Sequence, residues 1–150
     1  MKFKFVWVGK TRDANWMALQ GEYLRRLSYF VKCDIVEVRD AKGPISAEIE
    51  GNDLLVKLNQ NSFVALLDVK GRKLSSHELA AEIDKWQHRS YKEVAFVIGG
   101  AKGVSPQVAD RADFKLSLSF LTFTHEMARV ILMEQLYRAF TIIKGFPYQK

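Results

Sequence analysis

Short apolar runs alternate with helix-spaced patterns along the whole chain, and that alternation leaves few folds open. Phe63-Val64-Ala65-Leu66-Leu67-Asp68 is continuously apolar up to its last residue, as a strand covered on both faces must be. Val94-Ala95-Phe96-Val97-Ile98 is a second such strand, and it runs into Gly99-Gly100-Ala101-Lys102-Gly103. Further strands are expected at residues 3–8, 34–38 and 114–118. Between them lie helices. One is capped by Asp13 or Asn15 and carries Trp16, Leu19, Tyr23, Leu24 and Leu27 at helical spacing. Another spans residues 45–59 and is weakened by Gly51. Ser75 and Glu78 form a capping-box signature for a third, which runs to about residue 89. Ser105-Pro106 opens a short fourth, and the last covers residues 125–143. The expectation is an α/β fold with a mostly parallel sheet of five or six strands and helices on both faces. Residues 1–150 are expected to form a single domain, because no linker, repeat or low-complexity segment divides them.

Composition narrows the function classes. No window approaches the apolar length needed to cross a bilayer, and the start of the chain is too short an apolar run for a secretory signal. Cys33 is the only cysteine, so neither an internal disulfide nor a multi-cysteine metal site can form, and a cytoplasmic location is expected. The net charge of +6 favours polyanionic partners, nucleic acid above all. Lys70, Arg72 and Lys73 leave the carboxyl end of the third strand, where open α/β sheets bind ligands. Arg25, Arg26, Arg89 and Lys92 read as solvated surface.

The glycine-rich turn has neither the spacing of a P-loop nor that of a dinucleotide fingerprint. Two readings stay open for it: a tight turn needing positive φ, or a main-chain wall close to a ligand. Leu118 to Phe123 is a second stretch of small, hydroxyl and apolar residues, better matched to an adenosyl group than to a triphosphate. It holds no acid to bind magnesium. His77, His88 and His125 lack metal-ligand spacing, so no metal site is expected. No nucleophile elbow and no pair of carboxylates spaced for hydrolysis is present. The last helix is apolar on most of its circumference, so a second copy of the chain is expected to cover it. Glu134 and Arg138 lie four apart, in the order that suits a helix-surface pair. The short tail after Gly145 is expected to complete a site formed by the two turns.

Four stretches together carry a resemblance over essentially the whole chain: Phe96-Val97-Ile98-Gly99-Gly100-Ala101-Lys102-Gly103, the run from Leu118 to His125, Glu134-Gln135-Leu136-Tyr137-Arg138-Ala139-Phe140, and the Gly145-x-Pro147-Tyr148 ending. The chain resembles the SPOUT-class ribosomal RNA large subunit methyltransferase H family, which methylates N3 of pseudouridine 1915 in 23S ribosomal RNA. The segment around residues 40–60 is shorter than is usual there. The resemblance implies a trefoil-knotted fold, S-adenosyl-L-methionine held in the knot, a homodimer packed through the C-terminal helix, and ribosomal RNA in the assembled ribosome as partner. It implies cofactor positions at Leu67, Gly99, Leu118, Ser119, Phe120, Leu121, Thr122 and Phe123. It places Arg138, Tyr148 and Lys150 on the substrate side as catalytic residues. Two departures stand out. Thr124-His125 replaces a common Pro-His, and Gln149 replaces a tail histidine that would be the natural general base. Glutamine cannot take a proton. Three readings remain: another base, electrostatic help from Arg138 and Lys150 alone, or a catalytically silent RNA-binding relative. A methyltransferase with another RNA target is a further alternative.

Overall fold

The computed structural model describes residues 1–148. Five strands, β1 (Lys2–Val8), β2 (Lys32–Val38), β3 (Phe63–Lys73), β4 (Glu93–Ile98) and β5 (Phe114–Ser117), form one sheet in the order β2-β1-β4-β3-β5. Every pairing is parallel. Five helices connect and flank them: α1 (Ala14–Leu27), α2 (Ser46–Lys57), α3 (Ser76–His88), α4 (Pro106–Arg111) and α5 (His125–Lys144). None of these helices is long and apolar enough to cross a membrane.

The period-2 alternation of strand side chains splits the interior into two layers. Phe3, Phe5, Trp7, Ala65, Phe96 and Leu116 point to one face, where α1, α3 and α5 cover them with Leu27, Ile83, Trp86, Leu132, Met133 and Phe140. Val6, Val8, Val64, Leu66, Ala95 and Val97 point to the other, where α2 and α4 contribute Leu54 and Val108. The caps read from sequence are formed. Asp13 accepts from the N–H groups of Asn15 and Trp16 at the start of α1, and Ser75 with Glu78 closes a capping box on α3.

Two expectations change. The third strand does not end at Asp68. It continues to Lys73 after a register shift: both Leu67 and Arg72 align with Leu116, so residues 68–71 bulge out between them. A Cβ on Gly71 would lie 2.7 Å from the Lys115 carbonyl oxygen, which is why glycine closes the bulge. The apolar circumference of α5 is also largely satisfied inside one chain. The helix packs against both α1 and α3 as well as the sheet, burying Val130, Leu132, Met133, Leu136, Ala139 and Phe140. Its apolarity alone therefore does not require a second copy. Tyr137, Ile142 and Ile143 remain half-buried, and Phe146 is exposed beyond the helix end.

Candidate functional site

At the carboxyl ends of β3, β4 and β5 lies a cavity of about 530 Å³, within the roughly 300–1,000 Å³ usual for small-molecule sites. This is the edge where open parallel sheets bind ligands, because successive strands deliver their connecting loops there. One wall is Leu67 and the bulge residues Asp68, Val69 and Lys70. The second is the glycine-rich turn, residues 99–103, tied by an N–H of Gly103 donating to the Gly100 carbonyl at 2.9 Å. The third is the chain from Ser117 to Phe123 without Phe120, and the first turns of α5 add His125 and Ala128.

The structure resolves the two readings of the glycine turn position by position. Gly103 has φ +79° and meets the positive-φ requirement. Gly99 and Gly100 have ordinary φ and are needed for close approach instead. A Cβ on Gly99 would lie 2.6 Å from Val104 Cγ1, and one on Gly100 would lie 2.5 Å from Glu50 Oε2. Gly99, Gly100 and Gly103 themselves line the cavity, and having no side chains they do so through main-chain atoms. Opposite them, the Ser117 hydroxyl donates to the Ser119 carbonyl at 2.9 Å and the Leu121 N–H donates to Ser119 Oγ at 3.0 Å, fixing a turn that brings Leu118 and Leu121 to the cavity. A wall of peptide groups and small hydroxyls beside Leu67, Leu118, Leu121 and Phe123 fits an adenosyl group. Peptide N–H and C=O groups would meet the polar edges of such a group and the leucines its faces. Among the described residues no cluster of three or more His, Cys, Asp or Glu is placed to hold a metal.

Glu50 is a residue that sequence reasoning missed. It is buried beneath the turn, with Oε1 accepting from the Ala41 N–H at 3.0 Å and Oε2 facing Gly100. Burial pushes its carboxyl above the usual range, and neighbouring Asp40 adds to the rise. On the other rim, burial and the nearby Arg129 guanidinium push the His125 imidazole below its ordinary value, so it is neutral at physiological pH. Arg129 is itself buried. It donates to Val8 O at 2.6 Å and to Thr11 Oγ1 at 2.9 Å, and sits 4.7 Å from the Trp7 ring centroid. Neither Glu50 nor Arg129 was legible from spacing, although Gly51, packed against Ser105, signals that this face of α2 is tightly seated.

The residues assigned by resemblance fall in two places. Leu67, Gly99, Leu118, Ser119, Leu121, Thr122 and Phe123 all line the cavity, while the Phe120 side chain points out of it. Arg138 and Tyr148 do not line it either. The described part of the tail, residues 146–148, does not line the cavity of its own chain. It folds back along α5 past the Gly145 cap, with the Phe146 N–H donating to Thr141 O, until the Tyr148 hydroxyl donates to Glu134 Oε1 at 2.9 Å. Arg138 pairs with the same carboxylate at 2.8 Å and stands 4.1 Å from the Tyr148 ring centroid. Burial, then the Glu134 contact, pushes the Tyr148 phenol well up. Ten residues of helix separate Ala128 at the cavity from Arg138, about 15 Å of rise. Lys150 and Gln149 lie outside the described residues. Elsewhere, Arg25 and Arg26 are held by Glu22 on the surface of α1. Burial pushes the Cys33 thiol up to about 11, as for an inert, half-buried residue.

A family model described as "Predicted SPOUT methyltransferase" matches residues 1–149. The chain belongs to the SPOUT methyltransferase family. It is 43% identical over 159 aligned residues to a Halothermothrix orenii protein, and 42% identical over 156 to one from Desulfotalea psychrophila. Both are named Ribosomal RNA large subunit methyltransferase H, and both alignments cover the whole of each chain. A solved structure of a probable methylase family protein from Haemophilus influenzae shares the fold, with a TM-score of 0.56 at 15% identity over 99% of this chain and 70% of that one.

Proposed function

We propose that this SPOUT methyltransferase methylates N3 of pseudouridine 1915 in 23S ribosomal RNA of the assembled ribosome, in the cytoplasm, using S-adenosyl-L-methionine. The full-length likeness to proteins named for large-subunit ribosomal RNA methylation supports the substrate class. The single observation that carries the cofactor reading is the main-chain-walled cavity at the ends of β3, β4 and β5. Leu67, Gly99, Leu118, Ser119, Phe120, Leu121, Thr122 and Phe123 are the proposed cofactor positions, Phe120 through its main chain alone. The trefoil knot, in which the C-terminal part of the chain threads a loop, belongs to this proposal too.

When bound, S-adenosylmethionine supplies a methyl group already activated by its sulfonium. The protein has to position the base and remove the imide proton from N3, so that the N–CH3 bond forms as the S–CH3 bond breaks. Positioning is worth up to roughly 7–11 kcal/mol in well-oriented reactions. Arg138, with Lys150, stabilises the imide anion, and Tyr148 packs on the base. Arg138 sits about 15 Å of helix rise from Ala128 at the cavity of its own chain, so a homodimer through α5 is part of the proposal. The Arg138 and Tyr148 of one protomer then face the cavity of the other. The half-buried Tyr137, Ile142 and Ile143 and the exposed Phe146 supply apolar surface for that contact. Neutral His125, on the cavity wall, is able to accept a proton where the tail offers only Gln149.

The test is methyl transfer from labelled S-adenosylmethionine to ribosomes lacking the modification, followed by mass mapping of the modified nucleosides. Label in 3-methylpseudouridine at 1915 is expected. Label in a different RNA or nucleoside would replace the target, and cofactor binding without transfer would leave the silent RNA-binding reading.

A further inference from the structure

Phe120 is 88% exposed, although its neighbours Ser119 and Leu121 both line the cavity. The loop holds it there. The Leu121 N–H and Ser117 hydroxyl contacts to Ser119 close a tight turn, and Phe120 is at its tip with its ring directed to solvent. The outward ring is not unsupported. The Lys73 ammonium, at the end of the extended β3, lies 4.0 Å from its centroid, close enough for a cation–π contact. Lys73 reaches that point only because the bulge at residues 68–71 restores pairing, bringing Lys73 into register with Ser117. Lys70 and Asp68 line the cavity from the bulge of the same strand, and Lys102 lines it from the glycine-rich turn with its ammonium donating to the Gly43 carbonyl at 2.8 Å. Neighbouring Arg72 is engaged by Glu82 at 3.4 Å, whereas Lys73 makes no ion pair among the described residues.

We infer that Phe120 and Lys73 form a stacking platform for an unpaired RNA base flanking the target nucleotide at the mouth of the cavity. The inference rests on the methyltransferase reading above and deepens it. Unpaired bases are recognised by stacking on aromatic faces, and the backbone phosphates that accompany them by lysine. The ring has one face toward the Lys73 ammonium and offers the other to a base, with the same ammonium within reach of the adjoining phosphate. An exposed aromatic ring with the Lys73 ammonium against one face suits a polyanion. It does not suit a second copy of this chain, because a two-fold contact centred on Phe120 would bring the lysines of both copies together.

Four measurements on the full chain decide it: S-adenosylmethionine affinity by calorimetry, ribosome binding by co-sedimentation, steady-state methyl transfer, and the assembly state by analytical ultracentrifugation. Phe120→Ala is expected to leave cofactor affinity within about two-fold, because the side chain is outside the cavity. It should weaken ribosome binding and raise KM for ribosomes by about five- to a hundred-fold, the range of one lost stacking contact. Phe120→Trp should restore both. Lys73→Ala should weaken binding less and flatten its salt dependence. Unchanged ribosome binding and KM in Phe120→Ala, with the wild-type protein active, overturns the platform and leaves the methyltransferase reading standing. Wild-type protein that binds ribosomes through Phe120 but transfers no methyl group keeps the platform and sinks the catalytic reading. Dissociation of a dimer by Phe120→Ala would show that a second copy covers the ring, and would also overturn the platform.

Discussion

The two ends of the sheet each bury a glutamate, and the two glutamates are treated in opposite ways. At the amino end Glu93, the first residue of β4, accepts from Asn59 at 2.8 Å and from the Ser62 hydroxyl, and meets the Lys2 ammonium at 2.9 Å. Arg111 closes the same corner by donating to the carbonyls of Asn59, Gln60 and Ser62. Burial alone would raise the Glu93 carboxyl, but the Ser62 and Lys2 contacts outweigh it and hold the group below the usual range. At the carboxyl end Glu50 has a backbone N–H and a neighbouring acid, and burial wins. The first end is filled by side chains, with Glu93 Oε1 taking both hydrogen bonds and Oε2 facing the Lys2 ammonium. The second leaves peptide groups facing a cavity, and an aromatic ring facing solvent. In a parallel sheet the carboxyl ends lead out into strand-to-helix turns and the amino ends receive helix-to-strand turns; here side chains fill the amino end, and the carboxyl end is left as a cavity.

Breaking the open end should have the largest effect. Gly99→Val drives a side chain into Val104 and the Gly103 carbonyl, so calorimetry should find no S-adenosylmethionine binding while far-UV circular dichroism stays native. Arg138→Ala should leave cofactor affinity intact and lower kcat by about 10²–10³-fold, as loss of one anion-stabilising donor does. The two variants also test whether sites are shared between protomers. If Arg138 serves the partner's cavity, an equal mixture of the two inactive proteins should regain about one quarter of wild-type activity, since half the dimers are mixed and each mixed dimer has one intact site. No recovery after verified subunit exchange would return Arg138 to the cavity of its own chain.

The layering was legible; the polar network at the closed end was not, and the open end was legible only in part. Period-2 alternation in Phe3, Phe5 and Trp7 against Val6 and Val8, and the caps at Asp13, Ser75 and Ser105, announce their elements because they are local signals. The continuation of β3 was hidden because Asp68-Val69-Lys70-Gly71 breaks the apolar run, and only pairing with β5 restores it. The apolar girth of α5 was visible, but α1 and α3 had to be placed before one could see that they cover most of it. Main-chain positions such as Gly99 could be matched by motif. The burial of Glu50 could not, because one of three acids on a short helix, beside Glu48 and Asp53, looks like solvated surface until the turn above it is built. Tyr148 was named as a site residue, yet its fold-back onto Glu134 depends on a three-dimensional path past Gly145 that carries no periodic signal.

A smaller effect is expected when the closed end is broken. Glu93→Ala leaves the Asn59 amide and the Ser62 hydroxyl without their acceptor and Lys2 without its partner. Urea unfolding should show a loss of about 1–3 kcal/mol, the cost of stranded buried donors. Methyl transfer per folded molecule should be unchanged, because the network is at the far edge of the sheet from the cavity. Because the folded-state pKa of Glu93 is depressed, its contribution is complete above the unfolded value of about 4.5 and is lost as pH falls through the folded value. The wild-type advantage over Glu93→Gln should therefore shrink in acid.

The opposite slope at Glu50 is the smallest effect and the sharpest contrast. Its folded-state pKa is raised, so the native protein holds a proton there that the unfolded chain has already released. That preference stabilises the fold fully below the unfolded pKa and is lost as pH rises through the folded one. Glu50→Gln keeps an acceptor for the Ala41 N–H and an amide to meet Asp40, with no charge to bury. Its melting temperature should fall behind or match wild type near pH 4.5, then pull ahead by a few degrees as pH climbs toward 8. Cofactor affinity should lose pH dependence over the same interval, because Oε2 of the ionised form lies against the Gly100 main chain that forms the cavity wall. A purely structural glutamate would shift melting without that second change. Parallel melting curves for the two proteins across the range would mean that Glu50 is ionised throughout, and that the two ends of the sheet handle their buried acids alike.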